Sequence, residues 1–109
     1  MILSLVIGMA IAGAPALQEM CVALPKGATA AAAQAADKPW YISGDPIVVT
    51  KKSYSKYGLP RVLRKGDVAF FESYKGVAVY AEAGNPQREV VYVLTNLAHC
   101  EFQPYQIAP

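Results

Sequence analysis

The turn-forming residues between Gly44 and Pro86 restrict this chain more than any other feature. Gly44-Asp45-Pro46, Arg64-Lys65-Gly66-Asp67, Tyr74-Lys75-Gly76 and Gly84-Asn85-Pro86 punctuate it at short intervals, with β-forming runs between them. Such spacing predicts a meander of short strands and leaves no room for long helices. The expected strands are residues 47–50, 61–63, 68–73, 77–82, 89–95 and 101–103. The tight turn at Tyr74 to Gly76 suits a hairpin. Residues 89–95 form the most strand-like run. Alternation there puts Val91 and Val93 on one face and Val90, Tyr92 and Leu94 on the other. "NLAHCEF" is read as one helical turn leading into the last strand, which Pro104 ends. "KKSYSKYGLP", residues 51–60, is read as a long polar loop carrying Tyr54 and Tyr57.

An aromatic-bearing loop after the first strand, Leu63 with Gly66 and Asp67 at the next strand's start, and a tight hairpin at Tyr74 to Gly76 together carry a resemblance. Over about residues 47–105 the chain resembles the SH3-like barrels of bacterial exported proteins. The resemblance implies a small, mainly β barrel of five to six short antiparallel strands, with its working surface on the loop after the first strand.

Upstream of this region the composition changes. No charged side chain occurs from Met1 to Gln18, and Ala14 and Ala16 give the A-x-A spacing that a signal peptidase accepts. Residues 1–16 are therefore expected to be a signal peptide, or a membrane anchor, with a buried helix as the alternative. Residues 17–39, including the Ala-rich "KGATAAAAQAAD", are expected to be a linker that is at most transiently helical. The β domain is expected over residues 40–109. The cysteines, Cys21 and Cys100, form no C-x-x-C motif. In an exported chain their simplest use is one disulfide, which closes nearly the whole mature chain and is worth roughly 4 kcal/mol. The alternative is two buried free thiols. Phe102 and Tyr105 are expected to complete the core beside that bond.

Little here supports catalysis. His99 is the only histidine, and its neighbour Cys100 points elsewhere on either a strand or a helical turn. The carboxylates are scattered, the glycines recur singly at turns, and neither a metal nor a cofactor is expected. One asymmetry remains. Lys51, Lys52, Lys56, Arg61, Arg64 and Lys65 fall in a fifteen-residue stretch without an acid, interleaved with Tyr54 and Tyr57. Cations beside aromatic faces suit an anionic or sugar-bearing ligand, so the expected ligand-binding residues are Lys51, Lys52, Tyr54, Lys56, Tyr57 and Arg61. Against this stands a solvated loop whose lysines pair with Glu72, Glu82 or Glu89. A net charge of +2 is too small to imply nucleic acid. The expected protein is a periplasmic or secreted, non-enzymatic domain, or one anchored outside the cytoplasm, that binds an anionic polymer or a protein of the cell envelope. An inhibitor or accessory subunit of an envelope enzyme, and a small hydrolase, are the competing classes.

Overall fold

The computed structural model describes residues 21–108. The expected signal peptide or anchor at 1–16, and the first residues of the expected linker, lie outside the described residues. In chain order the elements are two short helices, α1 (Ala30–Ala33) and α2 (Pro39–Ser43), and then strands β1 (Ile47–Val49), β2 (Lys52–Lys56), β3 (Arg61–Val62), β4 (Val68–Tyr74), β5 (Val77–Glu82) and β6 (Val90–Asn96). A 3-10 turn (Leu97–His99) leads into β7 (Glu101–Ile107).

All the pairings between these strands are antiparallel, in the order β1-β2-β7-β6-β5-β4, with β3 also on β7. The two ends of that order, β1 and β4, come within 8 Å between Cα atoms but do not join the ladder. The sheet thus curls into a half-barrel. Ile47, Val49, Tyr54, Val79, Val91 and Tyr105 converge inside it. Trp40 of α2 packs there with its ring edge-on to Tyr74 at 4.9 Å. Pro39 starts α2 and Gly44, at φ 81°, ends it. That conformation needs glycine, and it turns the chain directly into β1.

The strand expected at 77–82 has these limits in the structure, and the run at 89–95 is shifted by one residue. Two other expectations are corrected. Residues 52–56 form strand β2, not part of a loop. Val49 pairs with Lys52 across a two-residue turn, and both turn residues, Thr50 (φ 49°) and Lys51 (φ 68°), are left-handed. This is the tight hairpin geometry usually signalled by Asn-Gly, here built without glycine. The second correction is that β7 runs through Pro104 to Ile107. The Tyr57 N–H donates to the Pro104 carbonyl at 3.0 Å. The proline ring nitrogen therefore faces that same side, where the chain opposite bulges away and no ladder donor is needed.

The middle of the sheet is buried on both faces, as the continuous burial of Val77 to Ala81 shows. Its outer face needs a cover, and the segment expected as a linker supplies one. Cys21, Val22 and Ala33 pack on Tyr80, Leu94 and Phe102. The Ala35 N–H donates to the Leu94 carbonyl at 2.9 Å, and the Gln34 side-chain oxygen accepts from the Leu97 N–H at 2.7 Å. Ala33 and Ala35 are fully buried. A methyl group is small enough to let this backbone lie directly on the sheet, so the alanines serve close approach. Thr29 caps α1 by accepting from the Ala32 N–H at 3.2 Å. The Tyr80 hydroxyl donates to the Ala23 carbonyl at 3.0 Å.

Cys21 and Cys100 form a disulfide, with Cα atoms 5.7 Å apart, that fastens this strap to the turn between β6 and β7. Phe102 lies in the outer cluster beside the bond, whereas Tyr105 belongs to the inner one.

Candidate functional site

Strands β2 and β3 run along the same side of β7 but are not continuous. Lys56 faces Tyr105 and Arg61 faces Phe102, so Tyr57, Gly58, Leu59 and Pro60 stand opposite only Gln103 and Pro104. The surplus chain bulges outward. Gly58, at φ 69°, supplies the left-handed residue that this reversal requires.

A buried glutamine holds the bulge in shape. The Gln103 side-chain amide donates to the carbonyls of Tyr57 (3.2 Å), Gly58 (3.0 Å) and Pro104 (3.1 Å). Its oxygen accepts from the Tyr41 hydroxyl at 3.3 Å. The Tyr57 and Gly58 carbonyls, which have no strand opposite to pair with, are thus satisfied from inside the sheet. What this support holds out to solvent is apolar. Leu59 is 81% exposed, Val62 71% and Tyr57 49%. Large apolar side chains thus stand exposed together within six residues, a grouping that isolated surface apolar residues do not make. Fully burying each of the aliphatic ones is worth about 1.5–3 kcal/mol.

The residues expected to form one ligand site separate in the fold. Lys51 and Lys52 sit exposed at the tip of the β1–β2 hairpin. Strand β2 carries the chain about 13 Å from Lys52 to Lys56. Tyr54, between them, is fully buried, and its hydroxyl donates to the Arg88 carbonyl at 2.8 Å. It offers no face to a ligand; alternation along β2 turned it inward. Burial raises its pKa, with Arg88 opposing. The Lys56 ammonium donates to the Tyr41 carbonyl at 2.6 Å and lies 3.8 Å from the centre of the Tyr41 ring, so it is already engaged within the chain. Burial, and then the Glu101 carboxylate, raise the Tyr41 pKa. Tyr57 is on the bulge. Arg61 lines a separate cleft with Asp67, Glu82 and Tyr92.

The pairing of lysines with Glu72, Glu82 or Glu89 is not seen. Among the described residues the one ion pair is Asp37 with Lys38, at 3.9 Å. His99 is exposed in the 3-10 turn, where its N–H donates to the Asn96 side chain at 3.3 Å, and Cys100 is held in the disulfide. No group of three or more metal-ligating side chains occurs among the described residues, and no described helix is long and apolar enough to cross a membrane. Sequence reasoning missed Leu59, Val62 and Gln103. The only local signal was an apolar residue framed by Gly58 and Pro60. Compared with known proteins, the chain matches no family model, no curated protein and no solved structure.

Proposed function

We propose that this chain is a non-enzymatic, SH3-like domain that works outside the cytoplasm, periplasmic or secreted, and binds a protein partner of the cell envelope through the bulge at Tyr57 to Pro60 and the adjoining Val62. The carrying observation is the exposure of Tyr57 and Leu59 on a bulge whose Tyr57 and Gly58 carbonyls Gln103 holds, with Val62 exposed beside it on β3. Apolar and aromatic groups on rigid backbone lose little entropy on binding and make good anchors. The uncharged leader and the Cys21–Cys100 bond support an oxidising compartment. An inhibitor or accessory subunit would use the same surface. The second reading, an anionic envelope polymer, is favoured by Lys51 and Lys52, which make no ion pair among the described residues.

Capture from envelope extract with wild-type protein and with Leu59→Ser, Lys51→Glu/Lys52→Glu and Tyr57→Ala variants tests both readings. Under the leading reading, Leu59→Ser and Tyr57→Ala lose the partner at every salt concentration, with circular dichroism unchanged. Under the second, the lysine reversals abolish binding, and wild-type binding fades above about 0.15 M salt, where the screening length falls to about 8 Å. Binding unaffected by all of these variants places the contact surface elsewhere.

A further inference from the structure

Beside the bulge, the outer face of the sheet holds an open cleft of about 290 Å³ lined by Arg61, Leu63, Asp67, Val68, Glu82 and Tyr92. Strand pairing builds it. Val68, which opens β4, pairs with Glu82, which ends β5, and the Ala83 N–H donates to the Asp67 carbonyl at 3.0 Å. Two carboxylates distant in sequence are thereby brought to one rim. Leu63, Val68 and Tyr92 belong to the outer apolar cluster and floor the cleft. Arg61 reaches it from β3.

Two features set this cleft apart from an ordinary charged surface. Arg61, Asp67 and Glu82 line the same small volume, yet no ion pair within 4 Å forms among them. Asp67 accepts the Arg64 N–H at 2.8 Å, and Glu82 accepts a long 3.5 Å bond from the Asn85 amide. Both keep acceptor capacity to spare. The second feature is Tyr92. It is only 7% exposed, so its ring is packed into the sheet, and it lines the cleft.

We propose that this cleft binds a small zwitterion, a molecule of about dipeptide size that carries one ammonium and one carboxylate. Asp67 and Glu82 outweigh Arg61 by one charge, so a simple anion is repelled, while a simple cation leaves the guanidinium unanswered. A neutral ligand would strip water from three ionised side chains and return no charge to them. A zwitterion satisfies both signs. Its ammonium meets the two carboxylates and its carboxylate meets the guanidinium fork. Tyr92 supplies a further hydrogen bond, and the apolar floor takes a small side chain. The cleft lies at the small end of ligand pockets, which limits the ligand to this size. The site does not depend on a protein partner for the bulge.

The test is a nuclear magnetic resonance titration of the folded, disulfide-bonded protein with alanyl-alanine. N-acetylated and C-amidated alanyl-alanine and the neutral disaccharide maltose are run in parallel. The expected result is saturable shifts centred on the amides of Arg61, Leu63, Val68, Glu82 and Tyr92. Each blocked dipeptide should bind at least about tenfold more weakly, since each lacks one charge-assisted bond. Glu82→Gln and Tyr92→Phe should both weaken the dipeptide, whereas Leu59→Ser should leave it unchanged and thereby separate this site from the bulge. Glu82 is an exposed residue at a strand end, so its substitution keeps the test valid if Tyr92→Phe disturbs the fold. Absence of saturable shifts, equal binding of the blocked dipeptides, or maltose binding as well as alanyl-alanine would overturn the proposal.

Discussion

Replacing both cysteines, Cys21→Ser with Cys100→Ser, tests the link between the strap and the stability of the sheet. The bond joins residues 79 apart in sequence. For a closed loop of that size the chain-entropy relation gives about 4.5 kcal/mol. A small domain has only about 5–15 kcal/mol in total, so the variant should lie close to its folding threshold. In a domain of this size each kcal/mol shifts the melting temperature by about 4–8 °C, which gives a fall of roughly 20–35 °C. The loss should also be uneven along the strap. Ala35 and Gln34 keep their bonds to Leu94 and Leu97, whereas Cys21 to Leu24 retain only burial and the Tyr80 hydroxyl bond to Ala23. Thermal unfolding followed by circular dichroism measures the first effect. Amide hydrogen exchange measures the second, with Ala35 expected to stay protected. A fall of less than about 5 °C would refute the reasoning, because the strap's own contacts would then hold that end as firmly as the covalent bond does.

Three further outcomes are expected. Gln103→Leu removes the donor to the Tyr57 and Gly58 carbonyls and the acceptor for Tyr41, so it should cost about 2 kcal/mol in denaturant unfolding and open the bulge to limited proteolysis at Leu59. A variant as stable and protease-resistant as wild type would show that Gln103 does not support the loop. Tyr105→Phe deletes a buried hydroxyl that has no partner among the described residues; its melting temperature should equal or exceed that of wild type, and a loss above about 1 kcal/mol would reveal an unrecognised bond. Burial raises the pKa of Tyr80 from 10.0 to about 12 and that of Tyr105 further. Folding therefore favours the neutral phenols: the Tyr80 contribution is complete below pH 10 and is lost between pH 10 and about 12, and that of Tyr105 is still being lost above this window. Unfolding should accompany the rise of tyrosinate absorbance in that window, and tyrosinate formation at Tyr80 in a still-folded protein would contradict it.

Strand β5 was legible because its signals are local. A short turn at Tyr74 to Gly76 precedes it, and its β-forming run ends at the turn residues after Glu82. The division of β6 into a Val91–Val93 face and a Tyr92–Leu94 face follows from the two-residue period alone, and the structure assigns those faces to the inner and outer clusters. The disulfide was legible from having only two cysteines. Strand β2 was hidden because "KSYSK" contains a single inward apolar residue, Tyr54, and its hairpin turn uses Thr50 and Lys51 in place of glycine. Nor could composition tell an alanine-rich tether from an alanine-rich strap. Ala33 and Ala35 are buried only because a sheet with two apolar faces stands behind them. The bulge depends on Gln103 meeting Tyr57 and Gly58, residues more than forty positions away. The convergence of Asp67 and Glu82 depends on the pairing of β4 with β5. Turns, alternation and charge boundaries are written residue by residue in the chain. Which face is covered, which carbonyl lacks a partner and which charges share a cleft are decided by contacts between distant segments, and those exist only once the sheet has formed and curled.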